Sequence, residues 1–184
     1  MADPEFQRDL LATVRASAER INSLIARLRH EDAAAHPEPP GFPLMERLAA
    51  IARARAGSVA LDREGPEGAL PLVAMPPESF DAAVTHLPDN AAEASPPGEP
   101  VRLVVRPAPG ALELDIIDRG PGMSAEFVRD QLFRPLATSK PGGSGIGAWQ
   151  ARDLLTRAGG SLSVLTSPGQ GTTMRLRLPV HRAA

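Results

Sequence analysis

The chain has 184 residues and no cysteine, with a formal net charge of −2 and an isoelectric point near 6.1. This length suits one domain with an appended segment, and the lack of cysteine excludes disulfides and thiolate metal sites. The charge balance and an aromatic content of 3% argue against a nucleic acid partner. No apolar run is long enough to insert into a membrane. We expect a cytoplasmic location, with or without a membrane anchor elsewhere in a parent protein.

Residues 1–30 are predicted to form one long amphipathic helix. Asp3 and Pro4 are typical of a helix start, because aspartate accepts backbone hydrogen bonds there and proline lacks an N–H that would have no partner. One face of this helix carries mostly apolar residues whose spacing alternates between four and three positions: Leu10, Val14, Ser17, Ile21, Leu24 and Leu28. This near-heptad spacing favours packing against other helices over packing on the chain's own domain.

Residues 31–42 are rich in proline and alanine, which is typical of a linker. A domain is predicted over 43–184. Its expected strands are a short edge strand at 43–45, a strand at 58–61, an edge strand at 69–74, and two hairpins at 101–106 with 111–117 and 161–166 with 172–178. Helices are expected at 46–55 and 78–95, and a third is expected to start at 148 and to stop at Gly159 and Gly160, a natural place for a left-handed residue. A turn is expected at 62–68.

The segment from Glu78 to Ser95 is predicted as a single helix with one apolar face, formed by Phe80, Val84, Leu87, Ala91 and Ala94. Asn90 lies near that face, and His86 lies one turn before Asn90. Pro88 falls inside this helix. It would remove a backbone hydrogen bond at a cost of about 3 kcal/mol or force a kink, which would move Asn90.

Two glycine-containing runs dominate the second half of the chain. Asp118, Gly120 and Gly122 follow directly after the strand 111–117, so an aspartate lies where a strand ends. The second run, 142–147, leads into a helix, where glycines let backbone N–H groups approach an anion and the helix dipole favours negative charge. Each run taken alone is most often a simple turn.

The order asparagine helix, strand with terminal aspartate, and two glycine loops resembles the Bergerat-type ATPase domain shared by sensor histidine kinases, gyrases, Hsp90 and MutL. The histidine kinases match best, because 132–140 resembles their phenylalanine box and lid and 167–179 resembles their closing hairpin. Residues 138–140 together with 145–152 are similar to PrsK-type kinases of PEP-CTERM systems. The resemblance spans roughly residues 43–180. It implies an α+β fold, a two-layer sandwich in which helices cover one face of a mixed, mostly antiparallel sheet.

The resemblance also implies ATP and Mg²⁺ as cofactors. Asp118 would read adenine, with Thr172 supporting it and Gly120 and Gly122 close to the base. The phosphates would lie against a set of loop and helix residues: Lys140, Gly143, Ser144, Gly145, Ile146 and Gly147. Asn90 would be the Mg²⁺ ligand, since its amide oxygen suits a hard cation. Lys140 and His86 are the catalytic candidates, and for His86 a role near the metal or phosphate and a purely structural role stay equally open.

The N-terminal helix resembles the second helix of a histidine kinase hairpin, which builds a four-helix bundle in a homodimer. The first helix, which carries the phosphorylated histidine, has no counterpart before Asp3. His30 is the candidate that most resembles an acceptor histidine, but it lies at the end of the predicted helix. We therefore expect the acceptor histidine to be absent from this chain, and a response regulator to receive the phosphoryl group later.

Two departures from the family pattern keep other functions open. Pro88 interrupts the asparagine helix, and Leu136 stands where the family usually has a second phenylalanine. A degenerate domain that acts as a dimerisation or regulator-binding scaffold is therefore one alternative. A Bergerat-type serine kinase or anti-sigma module is another, although such a module needs no bundle helix and the heptad stripe argues against it.

Overall fold

The computed structural model describes residues 41–55, 57–136 and 145–181. The chain divides into two compact units, 1–38 and 39–184, and the described residues all lie in the second. The predicted bundle helix and nearly all of the predicted linker fall outside the described residues, so these domain assignments stay predictions. No helix within the described ranges is long and apolar enough to cross a membrane.

Helices and strands alternate irregularly along the described part of the chain. In order they are α1 (Leu44–Ala54), β1 (Val59–Arg63), α2 (Pro77–Val84), α3 (Leu87–Ala94), β2 (Val101–Ala108), β3 (Ala111–Asp118), α4 (Ala125–Asp130), α5 (Gly147–Arg157), β4 (Ser161–Thr166) and β5 (Thr172–Pro179).

The strands form one five-stranded sheet in the order β1-β2-β3-β5-β4. β1 runs parallel to β2, and the other neighbours are antiparallel, which confirms the predicted mixed sheet. Side chains alternate between the two faces of a strand. On β3 the inward set is Leu112, Leu114 and Ile116, all almost fully buried, and Asp118 continues this register at the strand end. Its carboxylate therefore faces the helical layer.

The helices cover the inward face of the sheet and complete a two-layer sandwich, as the fold prediction required. Their buried side chains form one hydrophobic core with the inward residues of every strand. Phe80 of α2 is fully buried, and its ring lies 5.2 Å from that of Phe42. Phe42, at the end of the predicted linker, thus packs into the domain core.

The outward face of the sheet carries charged side chains in place of a second apolar layer. Asp115 on β3 is 2% exposed and accepts hydrogen bonds from both Arg106 and Arg175, with Arg175 binding both of its carboxylate oxygens at 2.8 Å. These bonds raise the pKa of Arg175 above its ordinary value. The paired charges and the long arginine stems cover Val104, which is 1% exposed.

Three predicted boundaries were wrong. The strand expected at 43–45 is the start of α1, with Pro43 at the N-cap position, where its fixed φ suits the entry to a helix. The strand expected at 69–74 is reduced to two isolated bridges, in which Val73 pairs with Phe42 and with Val180. The turn expected at 62–68 begins later, because Asp62 and Arg63 extend β1 alongside β2.

The single helix expected over 78–95 is also wrong, since the structure has two helices separated at Thr85 and His86. Pro88 lies in the first turn of α3, where a backbone N–H has no partner within the helix. The predicted cost of a proline inside a helix therefore does not arise. His86 and Asn90 are nevertheless one helical turn apart, as predicted, because the Asn90 N–H donates to the His86 carbonyl at 3.0 Å.

The predicted end of the last helix is confirmed. Gly159 has a φ of +81° after the C-cap residue Ala158. Its N–H donates to the Thr156 carbonyl at 3.1 Å, and the Gly160 N–H donates to the Leu155 carbonyl at 2.8 Å. This is a Schellman closure. The short helix α4 was not predicted, although Ser124 is its N-cap and accepts from the Phe127 N–H.

Asp115→Ala should destabilise the domain by about 3 kcal/mol, because two arginines lose a buried carboxylate. Urea unfolding monitored by circular dichroism would measure this. Asp62→Ala is the matched control: it removes the partner of Arg102 on the same face, where both side chains are about half exposed, and should cost less than about 1 kcal/mol. Equal costs for the two variants would contradict this account of the outward face.

Candidate functional site

Helix α3 contacts a glycine of each candidate loop, one at either end. A Cβ on Gly147 would lie 3.4 Å from Cβ of His86 and 3.5 Å from Nδ2 of Asn90, at the start of α3. A Cβ on Gly120 would lie 2.7 Å from the carbonyl oxygen of Ala94, at the last residue of α3. At 1.5 Å per residue the helix separates these contacts by about 12 Å. The candidate site therefore has two ends with α3 between them.

Asp118 organises the first end. It is 8% exposed, and its Oδ1 accepts from the Gly120 N–H at 2.8 Å and from the Thr172 N–H at 3.1 Å. Thr172 is also opposite Asp118 in the β3–β5 register. Among the described residues Oδ2 makes no hydrogen bond. One oxygen thus holds the local structure together, while the other is available as an acceptor.

The loop after Asp118 is bound to the β4–β5 hairpin. The Met123 N–H donates to Oγ1 of Thr166 at 3.0 Å, and Thr166 in turn donates to the Gly171 carbonyl at 2.8 Å. The Gly169 N–H donates to the Pro121 carbonyl at 2.7 Å. Gly122 has a φ of +67°, and a Cβ there would collide with the Ser167 carbonyl oxygen. The contact that the structure gives Gly122 is therefore with the hairpin.

The second end is formed by the starts of two helices. α5 begins after Ile146, and α3 begins after His86; neither N-cap residue supplies a side-chain hydrogen bond to its helix. First-turn N–H groups without such a cap favour an anion, and the dipoles of both helices add to this preference. Gly145, with a φ of +63°, turns the chain into α5.

Asn90 and His86 are exposed at this end. Within the described part of the chain, neither side chain makes a hydrogen bond. Their proximity to Gly147 agrees with the predicted grouping of Asn90, His86 and the second glycine loop. The roles predicted for them are not tested by these contacts.

An ion pair that the sequence analysis missed lies beside Asn90. Nε and Nη2 of Arg55 donate to the two carboxylate oxygens of Asp89 at 2.5 and 2.8 Å, and Nη2 also donates to the Thr85 carbonyl at 3.1 Å. The hydrogen bond from Arg55 holds the pKa of the Asp89 carboxyl below its ordinary value, and the same bond raises the pKa of Arg55. No spacing signal marks this pair, since its members are 34 positions apart.

The structure also describes the residues that precede the predicted lid in the chain. The guanidinium of Arg152 on α5 lies 4.6 Å from the ring centre of Phe133, within the predicted phenylalanine box. Leu136 is 46% exposed and has a φ of +64°, a conformation that leucine rarely adopts. Lys140, Gly143 and Ser144 lie outside the described residues, so their predicted roles stay predictions.

A scan against family models matches residues 76–182 to the histidine kinase-, DNA gyrase B- and HSP90-like ATPase family. The C4-dicarboxylate transport sensor protein DctB of Rhizobium meliloti is 31% identical over 91% of this chain and 32% of its own length. The sensory histidine kinase/phosphatase NtrB of Vibrio alginolyticus is 26% identical over 90% of this chain and 50% of its own. The chain thus spans a third to a half of these relatives.

Among solved structures, the mycobacterial sensor histidine kinase MprB is 27% identical, with a TM-score of 0.60 over 74% of this chain and 91% of that one. The narrower resemblance to PrsK-type kinases stays a prediction. The site at the two ends of α3 lies wholly inside the matched range 76–182. The chain therefore belongs to the histidine kinase-, DNA gyrase B- and HSP90-like ATPase family and carries the ATP-binding catalytic domain of a sensor histidine kinase.

Proposed function

We propose that this chain binds ATP together with Mg²⁺ and passes the γ-phosphoryl group to a histidine on a segment that the chain does not contain. The observation that supports this most directly is the placement of α3. One end of this helix contacts the loop of a buried aspartate, and the other end contacts the start of α5. This spacing suits an elongated ligand that carries a polar ring at one end and an anion at the other.

At the aspartate end, Oδ2 of Asp118 would accept a hydrogen bond from the exocyclic amine of adenine. A carboxylate only accepts hydrogen bonds, so it rejects guanine, which presents a carbonyl oxygen at the corresponding position. Thr172 and Gly120 would act indirectly here. Their N–H groups hold Oδ1 and so orient the carboxylate toward the base.

At the other end, the first-turn N–H groups of α5 would contact the phosphates. Gly147, the first residue of α5, faces the side chains of His86 and Asn90, from which a Cβ there would lie at ordinary contact distance. We assign His86 the role of a donor to phosphate oxygens, because it is the N-cap residue of α3 and its side chain is exposed beside Gly147. Lys140 would add positive charge from the lid.

The residues at this end fit a hard cation held jointly with phosphate oxygens. Asn90 offers a neutral amide oxygen, which suits Mg²⁺, and the described residues contain no cluster of three or more acidic or histidine side chains that could hold a metal. We assign Asn90 as the protein ligand. The bound cation would neutralise the charge that develops on the phosphate oxygens.

In the proposed reaction an imidazole nitrogen of the acceptor bonds to the γ-phosphorus while the bond from that phosphorus to the bridging oxygen breaks. ADP leaves with the electron pair. This chain's residues position and neutralise the phosphates, and no base on the domain is required. We further propose a homodimer formed through the N-terminal helix and a response regulator as the final acceptor.

Nucleotide binding should raise the melting temperature of the domain. Binding to the folded state alone at a hundred times Kd adds about 2.7 kcal/mol, which moves the transition by several degrees. Differential scanning fluorimetry with Mg-ATP would measure the shift, with GTP and metal-free ATP as controls. No shift with any nucleotide would refute the proposal and favour the scaffold alternative.

Asp118→Asn should lower the affinity for ATP at least about tenfold, because an amide cannot replace the carboxylate toward the base. Its remaining oxygen can still accept from Gly120 and Thr172, so the fold should persist. Asp118→Ala should also destabilise the domain by about 2 to 4 kcal/mol, since two buried N–H groups lose a charged acceptor. Calorimetric titration and urea unfolding would separate the two effects, and unchanged ATP affinity in Asp118→Asn would be incompatible with the assigned role.

Phosphotransfer should require an added histidine. The chain incubated with Mg-ATP alone should stay unphosphorylated, whereas a bundle helix with an acceptor histidine, taken from a relative such as DctB, should gain one phosphoryl group by mass spectrometry. Asn90→Ala should abolish the transfer. Phosphorylation of a serine on a partner would instead support the serine kinase alternative.

A further inference from the structure

We propose that the Arg55–Asp89 ion pair is a positioning device that sets the place of Asn90 and thereby the affinity for metal-bound nucleotide. This inference rests on the proposed function. Neither residue is assigned to the nucleotide site by the family resemblance, and neither needs to touch the nucleotide. Both would act through Asn90, which follows Asp89 directly in α3.

The guanidinium belongs to Arg55, a residue whose backbone is held in place by hydrogen bonds. Arg55 is the C-cap residue of α1, and its carbonyl accepts from both the N–H and the hydroxyl of Ser58 at 3.0 Å. The Ser58 carbonyl in turn accepts from the Val101 N–H at 2.9 Å, at the start of β2. Arg55 is thus attached through its backbone, by way of Ser58, to the start of β2.

The break between α2 and α3 is where this attachment acts. His86 starts α3 without a side-chain cap, whereas the hydroxyl of Thr85 donates to the Asp81 carbonyl at the end of α2. Arg55 spans the break, because Nη2 donates both to the Thr85 carbonyl and to the carboxylate of Asp89, while Nε donates to the other oxygen of that carboxylate. A planar guanidinium with two parallel bonds fixes direction as well as distance.

The location of Asn90 follows from this contact. Asp89 and Asn90 are consecutive, and the Asn90 N–H is bound to the His86 carbonyl inside the same first turn. Leu87 and Pro88 are buried beneath this turn. They anchor α3 through non-directional apolar contact, so the arginine fork is what sets its rotation about the buried residues. Loss of the fork would shift Asn90 relative to Gly147.

The chain contains a second arginine–aspartate ion pair that does not adjoin Asn90 and can serve as a control. Arg47 on α1 binds Asp81 on α2 at 2.5 Å, also across 34 positions, and Asp81 and Asp89 both have side chains 50% exposed. Arg47–Asp81 joins the same two regions of the fold but lies away from the break. Exposed pairs of this kind contribute little to stability. A difference between the two pairs in nucleotide binding would therefore report position and not folding.

The test compares four variants of the full chain by calorimetric titration with Mg-ATP and with metal-free ATP. Asp89→Asn and Arg55→Gln should each raise the Kd for Mg-ATP about tenfold, as removal of a residue that orients a metal ligand commonly does. The Kd for metal-free ATP should stay within about twofold, and the controls Asp81→Asn and Arg47→Gln should leave both constants within about twofold. Fluorescence of Trp149, the chain's one tryptophan and a residue of α5, offers a second readout.

A double variant gives a further criterion. Because the two residues act as one unit, Arg55→Gln combined with Asp89→Asn should bind Mg-ATP no more weakly than either single variant. Melting without nucleotide confirms that each variant is folded. If a single variant fails to fold, the pair with exchanged charges, Arg55→Asp with Asp89→Arg, takes its place and should bind Mg-ATP more tightly than the folded single variant.

The outcomes separate this inference from the proposed function. If the unaltered chain binds no Mg-ATP, the proposed function fails. If the unaltered chain binds Mg-ATP but Asp89→Asn and Arg55→Gln bind it equally well, the positioning role is overturned and the proposed function stands. Equal losses in the Arg47–Asp81 controls, or losses that add in the double variant, would likewise contradict the positioning role.

Discussion

The position of α3 between the two glycine loops, with one loop at each of its ends, is the constraint on which the candidate site depends. Gly120 meets the last residue of this helix, and Gly147 meets its first turn. A side chain at Gly120 would collide with a carbonyl oxygen, whereas a Cβ at Gly147 would lie at ordinary contact distance from His86 and Asn90. The helix therefore sets the separation of the two ends of the site, and Gly120 lets the first loop reach it.

Polar groups in this domain serve different purposes on the two faces of the sheet. On the inward face, Asp118 uses one oxygen to join the β3 loop to β5 and leaves the other available to a ligand. On the outward face, Asp115 is more buried than Asp118, but both of its oxygens are bound by arginines. The two carboxylates are three positions apart, and the alternation of a strand places them on opposite faces. Ligand binding and surface stabilisation are thus separated by register alone.

The break between α2 and α3 changes the meaning of Pro88. A proline inside a continuous helix would weaken it, whereas a proline in a first turn costs no hydrogen bond and brings a suitable φ. The break also leaves two uncapped helix ends near each other, one from α3 and one from α5. Pro88, which the sequence analysis treated as an interruption of the asparagine helix, therefore lies in the first turn that helps to form the second end of the site.

The sequence by itself determined the mixed sheet, the two hairpins, the glycine closure of α5 and the grouping of Asn90, Asp118 and the glycine loops. These features depend on local periodicity, turn chemistry and motif order, which are written in neighbouring residues. Tertiary structure decided the split of the helix at His86, the reduction of the predicted strand at 69–74 to two isolated bridges at Val73, and the Arg55–Asp89 contact. Each of these depends on which distant segment lies alongside, and no local pattern encodes a partner 34 positions away.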